Sequence, residues 1–222
     1  MVFFEKTFPA PNSLDIEYNK TDGKYNQEDV LEQLYIDFKN KCYLCESKGI
    51  ESINIEHFAP HKKINKIRKF NWSNLFWACS HCNKIKSDKE DFLNCIVKDE
   101  NIDIKIKYLL NDDLIENKVV IEAIDTDVKT QNTTKLLREI YNGSTTQNKF
   151  QAREKRNKLY DELSDFTSLL LKYIRTEDTL KKEDLLVNIK RELSNESQFT
   201  AFKRWIIRTN SKYTELEQYI LD

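Results

Sequence analysis

The chain has 222 residues, enough for one large domain or two small ones with a real apolar core. Its 36 Lys and Arg nearly cancel 37 Asp and Glu, leaving a net charge of −1, so the whole chain is no basic nucleic-acid coat. An apolar signal-peptide core is missing from Met1-Val2-Phe3-Phe4-Glu5 and no apolar run of membrane-spanning length occurs, which predicts a soluble cytoplasmic protein with no membrane partner.

Residues 1–26 contain Pro9, Pro11 and Gly23 among scattered aromatics. They show no helical period, which predicts an extended arm that packs on its own domain or on a partner. A helix follows from Gln27 to about Asn40, with Asn26 as its cap and Val30, Leu31, Leu34, Tyr35 and Phe38 as its apolar stripe. Cys42 and Cys45 then form one Cys-x-x-Cys pair, and Cys79 and Cys82 a second, 33 residues further on. In a reducing compartment such pairs are metal ligands before they are bridges, and this spacing predicts a four-thiolate Zn²⁺ site. Four thiolates leave no open position, so the zinc is structural. His81, inside the second pair, is a competing donor, and Cys95 is left over as a small buried residue.

Between the pairs, Ile53 and Ile55 alternate with polar residues and predict a short strand ending at Glu56 and His57. Phe70 to Trp72 reads as a second short strand or loop, and Asn74 to Lys86 as a helix or turn-helix, with Trp72 and Trp77 in the core. From residue 96 to 128 the sequence is mixed, with strand-like stretches at Ile102-Ile104-Ile106 and Val119 to Ile121. Helices are predicted over 133–141, stopped by Asn142-Gly143, then over 146–175, 179–193 and 196–209. This is an α+β protein, mostly helical, with divisions at 1–26, 27–95 and 96–222.

Charge is unevenly spread. From His57 to Lys89 there are eight basic residues against the single acid Asp88, whereas Glu90 to Asp127 holds eleven acids and four lysines. Lys62, Lys63, Arg68, Lys69, Lys84 and Lys86 are therefore candidate contacts for a polyanion. A solvated loop over 62–69 is the plainer alternative.

The order Cys-x-x-Cys, Glu56-His57, Trp72-Ser73-Asn74-Leu75, Cys-x-x-Cys-Asn83-x-x-Lys86 resembles the HNH endonuclease family. It is most similar to the HNH subunits of Septu-type and retron-associated antiphage defence systems. The resemblance covers about residues 30 to 95. It implies a zinc-stapled ββα-metal core over 27–95 with a helical C-terminal region, in a bacterial cytoplasmic protein. It also implies phosphodiester hydrolysis, with DNA as the first substrate and RNA, including transfer RNA, as the alternative. His57 would be the general base, Glu56 and Asn83 would hold a catalytic Mg²⁺ or Mn²⁺, and Asn74 would orient the imidazole or brace its loop. His61 could substitute as a ligand or phosphate contact. Glu56 stands where many members carry Asp, and Asn83 where many carry His. The partners so implied are an ABC/SMC-like ATPase and, in some systems, a retron reverse transcriptase with its msDNA. A non-catalytic zinc module for nucleic-acid or partner binding is the reading of a different class.

Overall fold

A computed structural model describes residues 1–50, 52–110 and 118–220. The fold is α+β and mostly helical, with two small antiparallel sheets. Among the described residues no helix is long and apolar enough to cross a membrane.

The first 26 residues are not an extended arm. Asn12–Tyr18 is a helix, α1, and Met1, Val2 and Phe4 are buried in the core. Pro11 stands immediately before the first turn, where its missing N–H and fixed φ suit a helix start rather than break one. Helix α2, Glu28–Asp37, begins at Gln27, and the expected cap Asn26 lies one residue outside. Its Val30 and Leu34 are buried, whereas Tyr35 is half exposed and meets Trp77 edge-on.

Strand β1, Ile53–His57, pairs antiparallel with β2, Leu75–Cys79, so that Ile53 faces Cys79 and His57 faces Leu75. The second strand therefore lies after Asn74, not at Phe70 to Trp72. Lys66–Phe70 forms a helical turn, α3, capped by Asn65, and Trp72–Asn74 a 3₁₀ turn capped by Asn71. All five residues of β2 are buried. A strand covered on both faces reads as a continuous apolar run and gives no alternation to detect. The helix expected from Asn74 starts at Ser80: α4, Ser80–Lys86, is capped by the Cys79 thiol, which accepts from the Cys82 amide.

A turn of helix, α5 (Ile102–Lys105), leads into β3, Ile106–Leu110, which pairs with β4, Val119–Ala123. The strand expected from Ile102 thus begins at Ile106. Helix α6 spans Val128–Asn142, longer than its periodic stretch because Asp127 accepts from Thr130 N; Gly143 closes it at φ 71°. Helices α7 (Thr146–Arg175) and α8 (Thr179–Leu193) run as their apolar spacing predicts, with Thr145 and Asp178 as their caps. Helix α9, Thr200–Thr209, starts four residues later than expected, behind Phe199 at φ 52°. One continuous core joins Met1, Phe4, Phe38, Tyr43 and Phe76 to Tyr108, Tyr141 and Phe202, across position 95. A second cluster lies among α7, α8, α9 and Tyr213.

Candidate functional site: a thiol cluster and a histidine cleft at opposite ends of one hairpin

Cys42 and Cys45 sit on the turn after α2, Cys79 ends β2 and Cys82 lies in the first turn of α4. All four are buried, and their sulfurs lie within 4.8 Å of one another, with Cys45 and Cys79 3.9 Å apart. Four sulfurs around a zinc at ~2.3 Å would be about 3.8 Å apart, so the cluster fits Zn²⁺ as it stands. His81 is not part of it: its ring bonds Gln151 Oε1 at 2.7 Å and Ile140 O at 3.0 Å. A residue that the spacing rule could not reveal is Lys155 of α7, whose ammonium lies 3.0 Å from Cys45 Sγ and 3.9 Å from Cys79 Sγ. Burial opposes ionisation of both partners. Even so, hydrogen bonds from the other thiols and the Lys155 charge hold Cys45 well below the usual thiol pKa, and the thiolates hold Lys155 well above the usual ammonium value.

Cys79 and His57 occupy opposite ends of the β1–β2 hairpin, roughly 13 Å apart at strand rise. The cluster is thus a staple, and the histidine lies in a cleft of its own. Helix α4 runs back from the cluster and brings Asn83 into that cleft. The cleft, about 620 Å³, is lined by Tyr25, His57, His61, Asn83 and Asp88, with Lys62, Lys63 and Lys84 at its rim.

His57 is held through Nε2, 3.1 Å from the carbonyl oxygen of Lys69. A carbonyl only accepts, so Nε2 carries the proton and Nδ1 keeps its lone pair. Burial, and then the positive charge of His61, Lys86 and Lys69, pushes the imidazole pKa down to about 4. His57 is therefore a neutral base at pH 7. In His61 the order is reversed: Nδ1 accepts from Lys63 N at 3.0 Å, which leaves Nε2–H as a donor. The two rings meet edge-on, 4.4 Å apart. Tyr25, from the segment expected to be an arm, packs edge-on at 4.6 Å against His57, and no sequence pattern marks it.

Asn74 does not touch the imidazole. Its Oδ1 accepts from Ala59 N at 2.7 Å, and its Nδ2 donates to Ala59 O at 2.8 Å and Arg68 O at 2.9 Å. It braces the loop that carries His61 and the Lys69 carbonyl. Glu56 is 2% exposed, and both its oxygens are engaged, by Lys86 Nζ at 2.6 Å and by Tyr43 Oη at 2.7 Å. Burial raises its pKa against the pull of Lys86. The expectation of a carboxylate open to a divalent cation is corrected accordingly: both Glu56 oxygens are taken, while Asn83 lines the cleft together with Asp88.

One of the six candidate phosphate contacts is also corrected, and two others are engaged by the protein while still half-exposed. Lys86 is fully buried and bonds Glu56 and His57 O. Lys69 Nζ donates to Gly23 O, and Arg68 bonds Pro60 O and Glu90. Lys62, Lys63 and Lys84 are exposed at the cleft. Comparisons with family models, curated proteins and solved structures find no match to this chain.

Proposed function

We propose that the protein is a nuclease of the HNH kind, in which His57 activates water for attack on a phosphodiester. The observation that carries this reading is the tautomer of His57. A neutral imidazole, fixed by a backbone carbonyl, turns its bare Nδ1 away from that bond in a cleft rimmed by three exposed lysines. A strand laid over Lys62, Lys63 and Lys84 would bring a phosphate toward that nitrogen. His57 Nδ1 would take the proton from water, and His61 Nε2–H is oriented as a donor to the phosphate or to the departing oxygen. A divalent ion held at Asn83 would add charge stabilisation at the phosphate.

DNA is the first substrate proposed and RNA the alternative, since a water activated by His57 attacks either backbone. The zinc at the cysteine cluster would fold the site without entering the chemistry. The ATPase and reverse-transcriptase partners belong to the proposal through the resemblance of residues 30 to 95 alone. A second reading, a non-catalytic zinc module, is favoured by one observation, the closed Glu56–Lys86–Tyr43 group.

The experiment is incubation of the purified protein with plasmid DNA and with total RNA, with and without Mg²⁺ or Mn²⁺, beside His57→Ala. The nuclease reading expects cleavage that falls at least ~100-fold in the variant, with zinc content unchanged. Equal products from both proteins, or none from either on both substrates, would leave the zinc-module reading.

A further inference from the structure

We propose that the first turns of α7 form a second ligand site, which takes a phosphorylated nucleotide, free or as one unit of a single strand. The site is a pocket of about 390 Å³ whose cationic side chains are Lys118, Lys149, Arg153 and Arg156, with Phe150 beside them. Among the described residues no carboxylate lines it. Residues 149, 153 and 156 fall on one helix face at steps of four and three. Gln147 and Gln151, on the other side of α7, bond Lys84 and His81 of α4. This pocket shares no lining residue with the His57 cleft.

Arg156 is the observation that calls for a ligand. It is only 8% exposed, its Nη1 donates to Tyr141 O at 2.6 Å, and its Nε is buried with no hydrogen-bond partner. A buried cationic N–H without an acceptor is costly, and proteins rarely leave one so. A small turn of the guanidinium would aim this N–H at a phosphate oxygen held in the pocket beside Arg153, and the first turn of α7, where Thr146 and Lys149 lie, sets its positive end at the other side of the same pocket. Lys149 and Arg153 are exposed at the mouth. Arg153 has a weak surface pair with Glu154 at 3.8 Å to give up, besides its contact with the Phe150 ring.

Phe150 points to the rest of the ligand. It is 58% exposed, and the Arg153 guanidinium lies 5.3 Å from its ring centre. An open aromatic ring beside clustered cations is the arrangement on which a base stacks while its phosphate is neutralised. A bare phosphate would leave that ring without a role. The site stands on these groups alone, whether or not His57 cleaves anything.

The test is fluorescence anisotropy of the full-length protein with two probes, labelled ATP and a short labelled 5′-phosphorylated oligodeoxyadenylate, over a salt series. The double variant Lys149→Glu/Arg153→Glu is expected to lose at least about tenfold in affinity and to show a shallower salt dependence. Phe150→Ala should lose about tenfold for both base-bearing probes. These residues are exposed and leave the Arg156–Tyr141 bond intact. A charge-matched pair elsewhere on the surface, Lys172→Glu/Lys181→Glu, should bind as the parent does. Preference for ATP identifies a free nucleotide, and preference for the oligonucleotide a strand; either result supports the site. Failure of both probes to bind, parent-like binding by the site variants, or equal loss in the control pair would overturn it.

Discussion

His57 is oriented by a carbonyl, where acid–base histidines are often oriented by a carboxylate. The Lys69 oxygen fixes the tautomer without adding a full negative charge, so burial dominates and the pKa falls to about 4. Two outcomes follow. Cleavage should be flat through neutral pH, with an acid limb only near pH 4 to 5, as measured by initial rates across buffers. Stability should move the other way from a salt-bridged histidine. Between the unfolded value of ~6.5 and the folded value the unfolded chain binds a proton that the folded chain refuses, so stability declines as pH falls through that window. Urea titrations at both ends should show the decline, and His57→Gln should shrink it. Asn74 offers a sharper substitution. Its Nδ2 donates to two carbonyls, so Asn74→Asp would set a carboxylate oxygen against both and should cost about 3 kcal/mol, read as a lower urea midpoint. Cleavage should fall with it, because the loop that holds the Lys69 carbonyl comes loose.

At the scale of elements, what was legible depended on whether the signal was local. Helices α7 and α8 are legible from their apolar spacing and the end of α6 from Gly143, whereas its start behind Asp127 lies five residues before the periodic stretch from Thr133. Strand β2 is not legible, because burial on both faces removes the alternation by which strands are recognised. Helix α1 was hidden by Pro11, which marks a start and was read as a break. The four cysteines are legible through their spacing, whereas Glu56, His57 and Asn83 are singled out by the resemblance, whose motif lies within one stretch of the chain. Tyr25 and Lys155 are marked by neither, because folding alone brings them to His57 and Cys79. Charge counting placed Lys86 on the substrate, whereas its ammonium meets Glu56 inside the protein. The hairpin and α4 bury Leu75, Phe76, Ala78 and Ile85 in the continuous core, and the thiol cluster clamps the end of that hairpin to the turn after α2. Chelation, or Cys82→Ser, should therefore release a single zinc and unfold β1, β2 and α4 together, followed by metal release against the circular-dichroism melt.

Across the whole molecule, the N-terminal and C-terminal stretches close on each other through buried charge. The Met1 ammonium lies 2.8 Å from Glu46, whose carboxylate also accepts from Ala201 N, and Phe199 N bonds the Glu46 carbonyl. Asp103 holds Arg204 at 3.0 Å and Arg208 at 2.9 Å, which fastens α9 to α5, the turn that leads into β3. Burial opposes the Asp103 charge, yet the two guanidinium groups keep its pKa below the usual carboxylate range. Its contribution is therefore present at neutral pH and fades as pH drops through that lowered value. Asp103→Asn should cost about 3 kcal/mol at pH 7 and much less in strong acid, by denaturant titration at each pH.

The lysine at position 155 gives metal occupancy a reach beyond the knuckle itself. A tetrathiolate zinc carries a net double negative charge, and the only ammonium against its sulfurs among the described residues belongs to the longest helix of the other half. Stripping the ion would let Cys42 and Cys82 take up protons, and the lysine would keep the Cys45 thiolate as its partner without the metal that fixes it in place. The first turns of that helix should loosen next, so limited proteolysis of the demetallated protein should nick near Lys149 to Lys158 as readily as between the cysteine pairs.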